Sequence, residues 1–202
     1  RSCLVGSEMC IRDRYKKRFE GQRDFFSNPK LNWSSPSNAV SACVPIFILG
    51  LPRSGTTLFE QILGAHSAVG QVGESKAFLN ALKNACCKTN PMWTFRDYPS
   101  GLNKLSNDTL AELVAAYESH QAILTDKALY IDKELANFEY LGLMATLFPQ
   151  AKFIHMDRAP MDIFLSCFRN SIPGVPETSN LTALAEYYVC LLYTSPSPRD
   201  KT

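Results

Sequence analysis

Apolar residues along the 202-residue chain alternate between two kinds of spacing. Short apolar runs typical of buried strands are followed by stretches with apolar residues at helical spacing. The pattern predicts strands at residues 44–49, 69–72, 129–132 and 152–156, and helices at 15–26, 56–65, 75–86, 138–148, from 160 onward and at 181–189. Strands that alternate with helices predict an α/β fold, with a central parallel sheet between two layers of helices.

Three helices carry further signals of where they begin and what they bury. Thr109 and Glu112 have the spacing of a capping box, which predicts that a helix begins at Thr109. Two apolar stripes are expected to face the core. They consist of Leu58, Phe59, Ile62 and Leu63 in one helix, and of Met161, Phe164, Leu165 and Phe168 in another.

The loop after the first predicted strand reads Pro-Arg-Ser-Gly-Thr-Thr at residues 52–57. A strand, a glycine-bearing loop and a helix in this order are typical of phosphate binding. Gly50 and Gly55 have the spacing of a nucleotide P-loop, but Thr56 stands where that motif has its lysine. Arg53 offers a different cation. The sequence therefore predicts a P-loop-like fold whose loop holds an anionic group other than a triphosphate.

This loop resembles the 5′-phosphosulfate loop of sulfotransferases that use 3′-phosphoadenosine 5′-phosphosulfate (PAPS). The likeness is to protein-tyrosine sulfotransferases and to bacterial sulfotransferase domains that often follow tetratricopeptide repeats. Further segments match in order over roughly residues 44–189: Val72-Gly73-Glu74, then Asp132-Lys133 with Asn137-Phe138, then residues 153–160 with Ser166. The resemblance implies PAPS as sulfuryl donor and a hydroxyl acceptor on a peptide tyrosine, a sugar or a small molecule. It also implies N-terminal tetratricopeptide repeats in the full-length protein.

The resemblance also implies site residues and their roles. Glu74 would be the base, and Lys133 would neutralise charge on the leaving phosphate. Arg53 and the amides of Ser54, Gly55, Thr56 and Thr57 would hold the 5′-phosphate and the sulfate, and Arg53 would also be a catalytic residue. Arg158 and Ser166 would bind the 3′-phosphate.

Each of these residues also has a structural interpretation. Arg53 could form a surface ion pair, Glu74 could be a solvated acid, and Arg158 could pair with Asp157 or Asp162. Lys127 competes with Lys133 for the catalytic role, although it precedes its strand. His66 and His155 receive no proton-transfer role, because Glu74 fills the position of the base.

Two rival functions remain at this point. A P-loop kinase or nucleotidase would need a lysine at position 56 and an acidic Mg²⁺ ligand after a strand, for which Asp132 is the candidate. A non-catalytic module that binds PAPS or phosphate would keep Arg53, Arg158 and Ser166 but would need neither Glu74 nor Lys133.

Both chain ends look foreign to the domain. One DNA sequence encodes residues 190–200, and its reverse complement, read in a shifted frame, encodes residues 4–13. Unrelated protein ends have no reason to be complementary, so we interpret 1–14 and 190–202 as scars derived from an adapter. The domain would then cover 44–189, truncated at its C-terminus, with a helix and linker at 15–43. We expect such a fragment to be at best weakly active.

Charge and cysteine content narrow the class of protein. The two ends hold five of the 21 basic and three of the 19 acidic residues, so the rest has no formal net charge. Neither nucleic acid nor a membrane surface is indicated as a partner. Cys43, Cys86, Cys87 and Cys167 have the spacing of neither a zinc site nor a disulfide framework. We expect a metal-free cytoplasmic enzyme.

Overall fold

The computed structural model describes residues 20–27, 43–170 and 180–194. Its centre is a sheet of four parallel strands in the spatial order β2-β3-β1-β4. The strands are β1 (Val44–Gly50), β2 (Val69–Gly73), β3 (Leu129–Asp132) and β4 (Lys152–Met156). The predicted α/β fold with a parallel sheet is therefore confirmed.

Helices connect the strands and flank the sheet. After the described part of α1 at residues 20–26, they are α2 (Thr56–Gly64), α3 (Ala77–Thr89), α4 (Asn107–Leu124), α5 (Leu141–Leu147), α6 (Pro160–Arg169) and α7 (Leu181–Thr194). Short 3₁₀ helices occupy Phe95–Asp97, Ser100–Lys104 and Leu135–Tyr140. Within the described ranges, no helix has both the length and the apolar content needed to cross a membrane.

The strand order brings three chain segments to one edge of the sheet. Strand β1 lies in the middle, where Phe47 is paired with Asp132 of β3 and Gly50 with Met156 of β4. Because all strands are parallel, their carboxyl ends meet at the same edge. In open α/β sheets, ligands bind at such an edge where successive connections diverge to opposite sides. The loop after β1, the turn after β3 and the segment after β4 therefore lie close together.

An aromatic core fills one face of the sheet. Phe47 of β1 is fully buried, and its ring lies 5.3 Å from Phe153 and 6.3 Å from Tyr117 of α4, measured between ring centroids. Tyr117 in turn lies 5.9 Å from Phe78 of α3 and 5.2 Å from Phe148. Aromatic pairs at these distances add to the hydrophobic gain from burial. Helices α3 and α4 are thereby held against β1 and β3.

Two helix starts differ from the predictions. Helix α4 begins at Asn107, because the Ser106 hydroxyl accepts the Thr109 N–H at 3.2 Å and caps the helix. The predicted capping box at Thr109 is wrong, because Ser106, three positions earlier, is the residue that caps the helix. The helix predicted at 138–148 is divided between the 3₁₀ helix Leu135–Tyr140 and the α-helix α5.

The predicted inward stripes of α2 and α6 are also wrong in part. Leu58 and Ile62 are 63% and 60% exposed, and Met161, Leu165 and Phe168 are exposed as well. The buried positions are Thr56 and Glu60 on α2, and Ile163 and Cys167 on α6. The periodicity of apolar residues predicted the wrong buried face for α2, because the face that is buried carries the polar side chains of Thr56 and Glu60.

Some predictions fall on residues outside the described ranges. They include the scar at 1–14, most of the linker at 28–42, the loop at 171–179 and the last part of the C-terminal scar. Helix α7 continues to Thr194, five residues past the predicted domain end at Val189. The domain boundaries and the foreign origin of the ends stay predictions.

The fully buried carboxylate of Asp132 connects β3 to α4 and to the 3₁₀ helix Leu135–Tyr140. Asp132, at the end of β3, accepts hydrogen bonds from Tyr117 Oη at 2.8 Å and from Gln121 Nε2 at 3.4 Å, both on α4. Its other oxygen accepts from Asn137 Nδ2 at 2.9 Å and from the Glu134 N–H at 3.1 Å. Burial raises the pKa of Asp132 to about 6, although these hydrogen bonds oppose the rise.

This raised pKa predicts a pH-dependent stability. The folded state binds a proton to Asp132 more tightly than the unfolded state, so stability should fall as pH rises from about 4 to about 6. Across that window, wild type should lose up to about 3 kcal/mol of unfolding free energy relative to Asp132→Asn. Urea unfolding of both proteins at several pH values measures the difference.

Asp126 provides the matched control, because its carboxylate is exposed beside Lys127. Asp126→Asn should show no comparable pH-dependent difference from wild type. An equal pH dependence for both substitutions would contradict the assignment to Asp132.

Candidate active site

The loop between β1 and α2, residues 51–55, is called the anion loop below because the sequence predicts an anion there. Its backbone is shaped by two residues with positive φ. Arg53 has φ 70°, and Gly55 has φ 99° as the N-cap of α2. A left-handed conformation is easy for glycine but costs free energy for arginine, and such strain is frequent at ligand sites. No side chain caps α2. Because the first amides of a helix have no partner within it, this loop presents donors to an anion.

The Ser54 side chain closes the loop. Its Oγ donates to the Leu51 carbonyl at 2.7 Å, and its N–H approaches the same oxygen at 3.2 Å. Ser54 was predicted to offer its amide to the anion, but that N–H is engaged within the loop. The amides of Gly55, Thr56 and Thr57 are the better candidates for this role.

Arg53, Arg158 and Ser166 come together beside the loop. Arg53 Nε donates to Ser166 Oγ of α6 at 2.9 Å, and Arg158 Nη1 donates to the Arg53 carbonyl at 3.3 Å. Cys167, also on α6, directs its Sγ to the Pro52 carbonyl at 3.4 Å. The structure therefore brings three predicted site residues from the loop, the end of β4 and α6 into one cluster.

Arg158 also forms an ion pair with Asp162, which is one of the two acidic partners predicted if the arginine had only a structural role. Its Nη2 lies 3.4 Å from Asp162 Oδ2, one turn further along the chain in α6. Both side chains are about half exposed, so this pair contributes little to stability. The predicted ion pair and the predicted position at the anion loop are therefore both present, and they do not exclude each other.

Glu74 and Lys133 form a second cluster at the same sheet edge. Lys133 Nζ donates to Glu74 Oε1 at 2.7 Å, and the Lys133 N–H donates to the Gly73 carbonyl at 2.9 Å. The Lys133 side chain is 5% exposed, whereas that of Glu74 is 58% exposed. An enclosed ammonium thus lies beside a carboxylate that solvent or a substrate can reach.

The turn that positions Lys133 is held by Asp132 and Glu134. Asp132 accepts the Glu134 N–H, and the Glu134 carboxylate accepts the Ala136 N–H at 3.2 Å to cap the 3₁₀ helix. Asp132 points into the aromatic layer. Because successive residues of an extended chain point to opposite faces, Lys133 turns to the other side, toward α2.

Glu60 was not identified from the sequence as a site residue. It lies on α2 with its side chain 8% exposed, and its Oε2 is 3.9 Å from Lys133 Nζ. Its Oε1 accepts the Gly73 N–H at 3.0 Å. The sequence carried no signal for it, because Glu60 lies off the predicted apolar stripe and beside Gln61, where a solvent-exposed acid is expected.

The remaining candidates have structural roles. Lys127 lies before β3 and pairs with the exposed Asp126 at 3.6 Å. His66 Nδ1 accepts the Ala68 N–H at 3.1 Å in the turn after α2. His155 is half-buried within β4, and burial lowers its pKa against the opposing effect of Asp157. Both oxygens of Asp132 are taken by the four donors described above, which is unsuitable for a Mg²⁺ ligand.

Comparison with known proteins adds two findings. The family model described as the sulfotransferase family matches residues 45–189, which include both clusters. An uncharacterized protein of Aquifex aeolicus (strain VF5) is 35% identical over 134 residues. That match covers 63% of this chain but 17% of the relative, so the chain spans about a sixth of that protein's length.

The positive φ at Gly55 leads to a prediction about the loop. A Cβ at Gly55 would meet open space, so Gly55→Ala tests backbone conformation rather than crowding. We expect a loss of about 1–2 kcal/mol of unfolding free energy, because alanine resists the left-handed region. Gly21 of α1 also has open space but no such φ, and Gly21→Ala should stabilise by up to about 1 kcal/mol. Urea unfolding that gave both variants the same sign would contradict this.

Proposed function

Because the chain belongs to the sulfotransferase family, we propose that it transfers a sulfuryl group from PAPS to the hydroxyl of an acceptor. The observation that carries the proposal is that two clusters flank one anion loop. The Glu74–Lys133 pair lies at the end of β3, and the Arg53–Ser166–Arg158 cluster lies between the loop and α6. The Glu74–Lys133 pair fits the chemistry of sulfuryl transfer, and the Arg53–Ser166–Arg158 cluster fits recognition of a second phosphate.

Glu74 is suited to be the base. The acceptor oxygen would attack sulfur while its proton passes to the Glu74 carboxylate, and the bond from sulfur to the 5′-phosphate oxygen would break. A positioned base of this kind contributes roughly 10²–10⁴-fold in rate. The exposure of Glu74 supports this role, since an acceptor must be able to approach its carboxylate.

Lys133 is suited to neutralise the leaving phosphate. Negative charge grows on the bridging oxygen as the bond to sulfur breaks, and an ammonium held in place stabilises that charge without reorganisation. The Lys133 side chain is nearly fully enclosed, which strengthens its electrostatic effect. Its hydrogen bond to Glu74 also brings the base and the cation within reach of the same reacting group.

The second cluster fits the 3′-phosphate that distinguishes PAPS from adenosine 5′-phosphosulfate. Arg158 offers a guanidinium, and Ser166 offers a hydroxyl on the adjoining helix. Arg53 lies against Ser166 and therefore belongs to this side of the loop as well. Guanidinium groups suit phosphate because their planar donors match its oxygens.

The geometry is less suited to a P-loop kinase. Thr56 occupies the position of the P-loop lysine, and Asp132 is enclosed among four hydrogen-bond donors. A non-catalytic binding module would have no use for an exposed carboxylate beside an enclosed lysine. Both rivals remain outcomes of the experiments below.

The first test concerns the ligand. The full-length protein should bind adenosine 3′,5′-bisphosphate more tightly than ATP and without Mg²⁺, as measured by calorimetry. Arg158→Ala should weaken this binding by about 1.5–3 kcal/mol, the usual worth of a hydrogen bond to a charged group. Arg169→Ala, which removes an exposed arginine at the end of α6, is the matched control and should leave it unchanged. Tighter ATP binding that requires Mg²⁺ would favour the kinase.

The second test separates an enzyme from a binding module. In the restored full-length protein, Glu74→Gln should lower kcat by roughly 10²–10⁴-fold because the base is lost. Its affinity for adenosine 3′,5′-bisphosphate should stay near that of wild type, because Glu74 serves the acceptor. Transfer from radiolabelled PAPS to para-nitrophenol and other phenols, sugars and tyrosine peptides measures kcat. Near-normal turnover in Glu74→Gln would refute the base assignment, and tight nucleotide binding without any turnover would favour the binding module.

A further inference from the structure

Glu60 is an acidic side chain buried in the wall between the loop and the strand ends. It lies on the same face of α2 as Thr56, one turn later, and the whole residue is 6% exposed. Burial of a carboxylate is unfavourable unless hydrogen bonds and an opposite charge compensate. The partners of Glu60 therefore indicate what holds it in this place.

The two oxygens of Glu60 face the two segments that carry the proposed catalytic pair. Oε1 accepts the Gly73 N–H, directly before Glu74 in the chain. Strand β2 changes register against β3 between Gln71 and Gly73, and the backbone at Gly73 has φ 69°. Glu60 thus holds the irregular strand end from which Glu74 projects. Oε2 lies 3.9 Å from Lys133 Nζ.

Lys133 consequently lies between two carboxylates that differ in exposure. Glu74 is closer to Nζ, at 2.7 Å, but its side chain is 58% exposed and is free to turn toward an acceptor. Glu60 is more distant, but its side chain is enclosed, and its other oxygen is anchored to backbone. Of these two carboxylates, Glu60 is the one that can compensate the Lys133 charge throughout a reaction in which Glu74 changes partner.

We propose that Glu60 is a positioning residue that fixes the Lys133 ammonium and the Gly73–Glu74 turn for sulfuryl transfer. The inference rests on the proposed function, because it takes Glu74 as base and Lys133 as the cation. Glu60 would touch neither donor nor acceptor. Its carboxylate would keep the Lys133 ammonium aligned when Glu74 leaves the ion pair to take the acceptor's proton.

Glu60→Gln in the full-length protein separates this role from simple structural support. Glutamine keeps the size of the side chain and an oxygen for the Gly73 N–H, but removes the charge that faces Lys133. We expect kcat to fall roughly 10–100-fold, the scale of a catalytic group displaced by a remote change. The Kd for adenosine 3′,5′-bisphosphate should change less than about threefold, and the urea midpoint should stay near that of wild type.

A double-mutant cycle with Lys133→Met supplies a readout that structural support would not move. If Glu60 acts through Lys133, Glu60→Gln should change kcat by less than about twofold once Lys133 is gone. Glu112→Gln is the matched control, because Glu112 is an exposed glutamate paired with Lys88 far from the loop. It should leave kcat unchanged.

The outcomes distinguish this inference from the proposed function. Loss of turnover in Glu74→Gln and Lys133→Met, with normal turnover in Glu60→Gln, would overturn the role of Glu60 alone. An equal effect of Glu60→Gln with and without Lys133 would also overturn it. Near-normal turnover in Glu74→Gln and Lys133→Met, or no turnover in the full-length wild-type protein, would instead remove the proposed function.

Discussion

The burial of the Asp132 carboxylate is the constraint on which the site depends. A carboxylate with no exposure is tolerable only if its oxygens are hydrogen-bonded, and here donors come from α4, from the turn after β3 and from the 3₁₀ helix. These donors fix where β3 ends. Because Lys133 is the next residue, the same contacts decide where its ammonium lies. The network thus connects the packing of the aromatic core to the position of the Lys133 ammonium at the sheet edge.

One face of the sheet carries the aromatic core, and the other carries a group of charged side chains. Asp132 points toward Tyr117 and the aromatic layer, which provides stability through burial and close ring contacts. Lys133 turns to the side of α2, where Glu60 and Glu74 form a small charged group. Charges gathered at the end of a packed sheet lie in a medium of lower effective dielectric than water. They can therefore act more strongly on a reacting group than exposed charges would.

The anion loop links this charged group to the second cluster. Its left-handed residues, Arg53 and Gly55, turn the chain between the end of β1 at Gly50 and the start of α2 at Thr56. The Arg53 side chain then contacts α6 through Ser166, while α2 contacts the end of β3 through Glu60. A substrate with two separated anionic groups could contact both sides of one loop. This is the arrangement expected when recognition and chemistry must be aligned in a single ligand.

The sequence by itself determined the α/β fold, the four strands and the loop of residues 52–57. Alternation of apolar runs and helical spacing is local, and a missing P-loop lysine can be read directly at Thr56. The sequence also selected Arg53, Glu74, Lys133, Arg158 and Ser166, through their positions after strands and a family resemblance. It did not determine the orientation of α2 and α6, because both helices carry apolar residues on their exposed sides.

Only the tertiary structure decided how these residues divide into two clusters. The strand order places β1 between β3 and β4, so Arg53 meets Ser166 across 113 positions of sequence, and Lys133 meets Glu74 across 59. It also assigned Asp132 to the core and identified Glu60, whose buried charge opposes the periodicity of its helix. The physical reason is that hydrophobic patterning reports which residues avoid water, whereas a buried charge is held by partners distant in the chain.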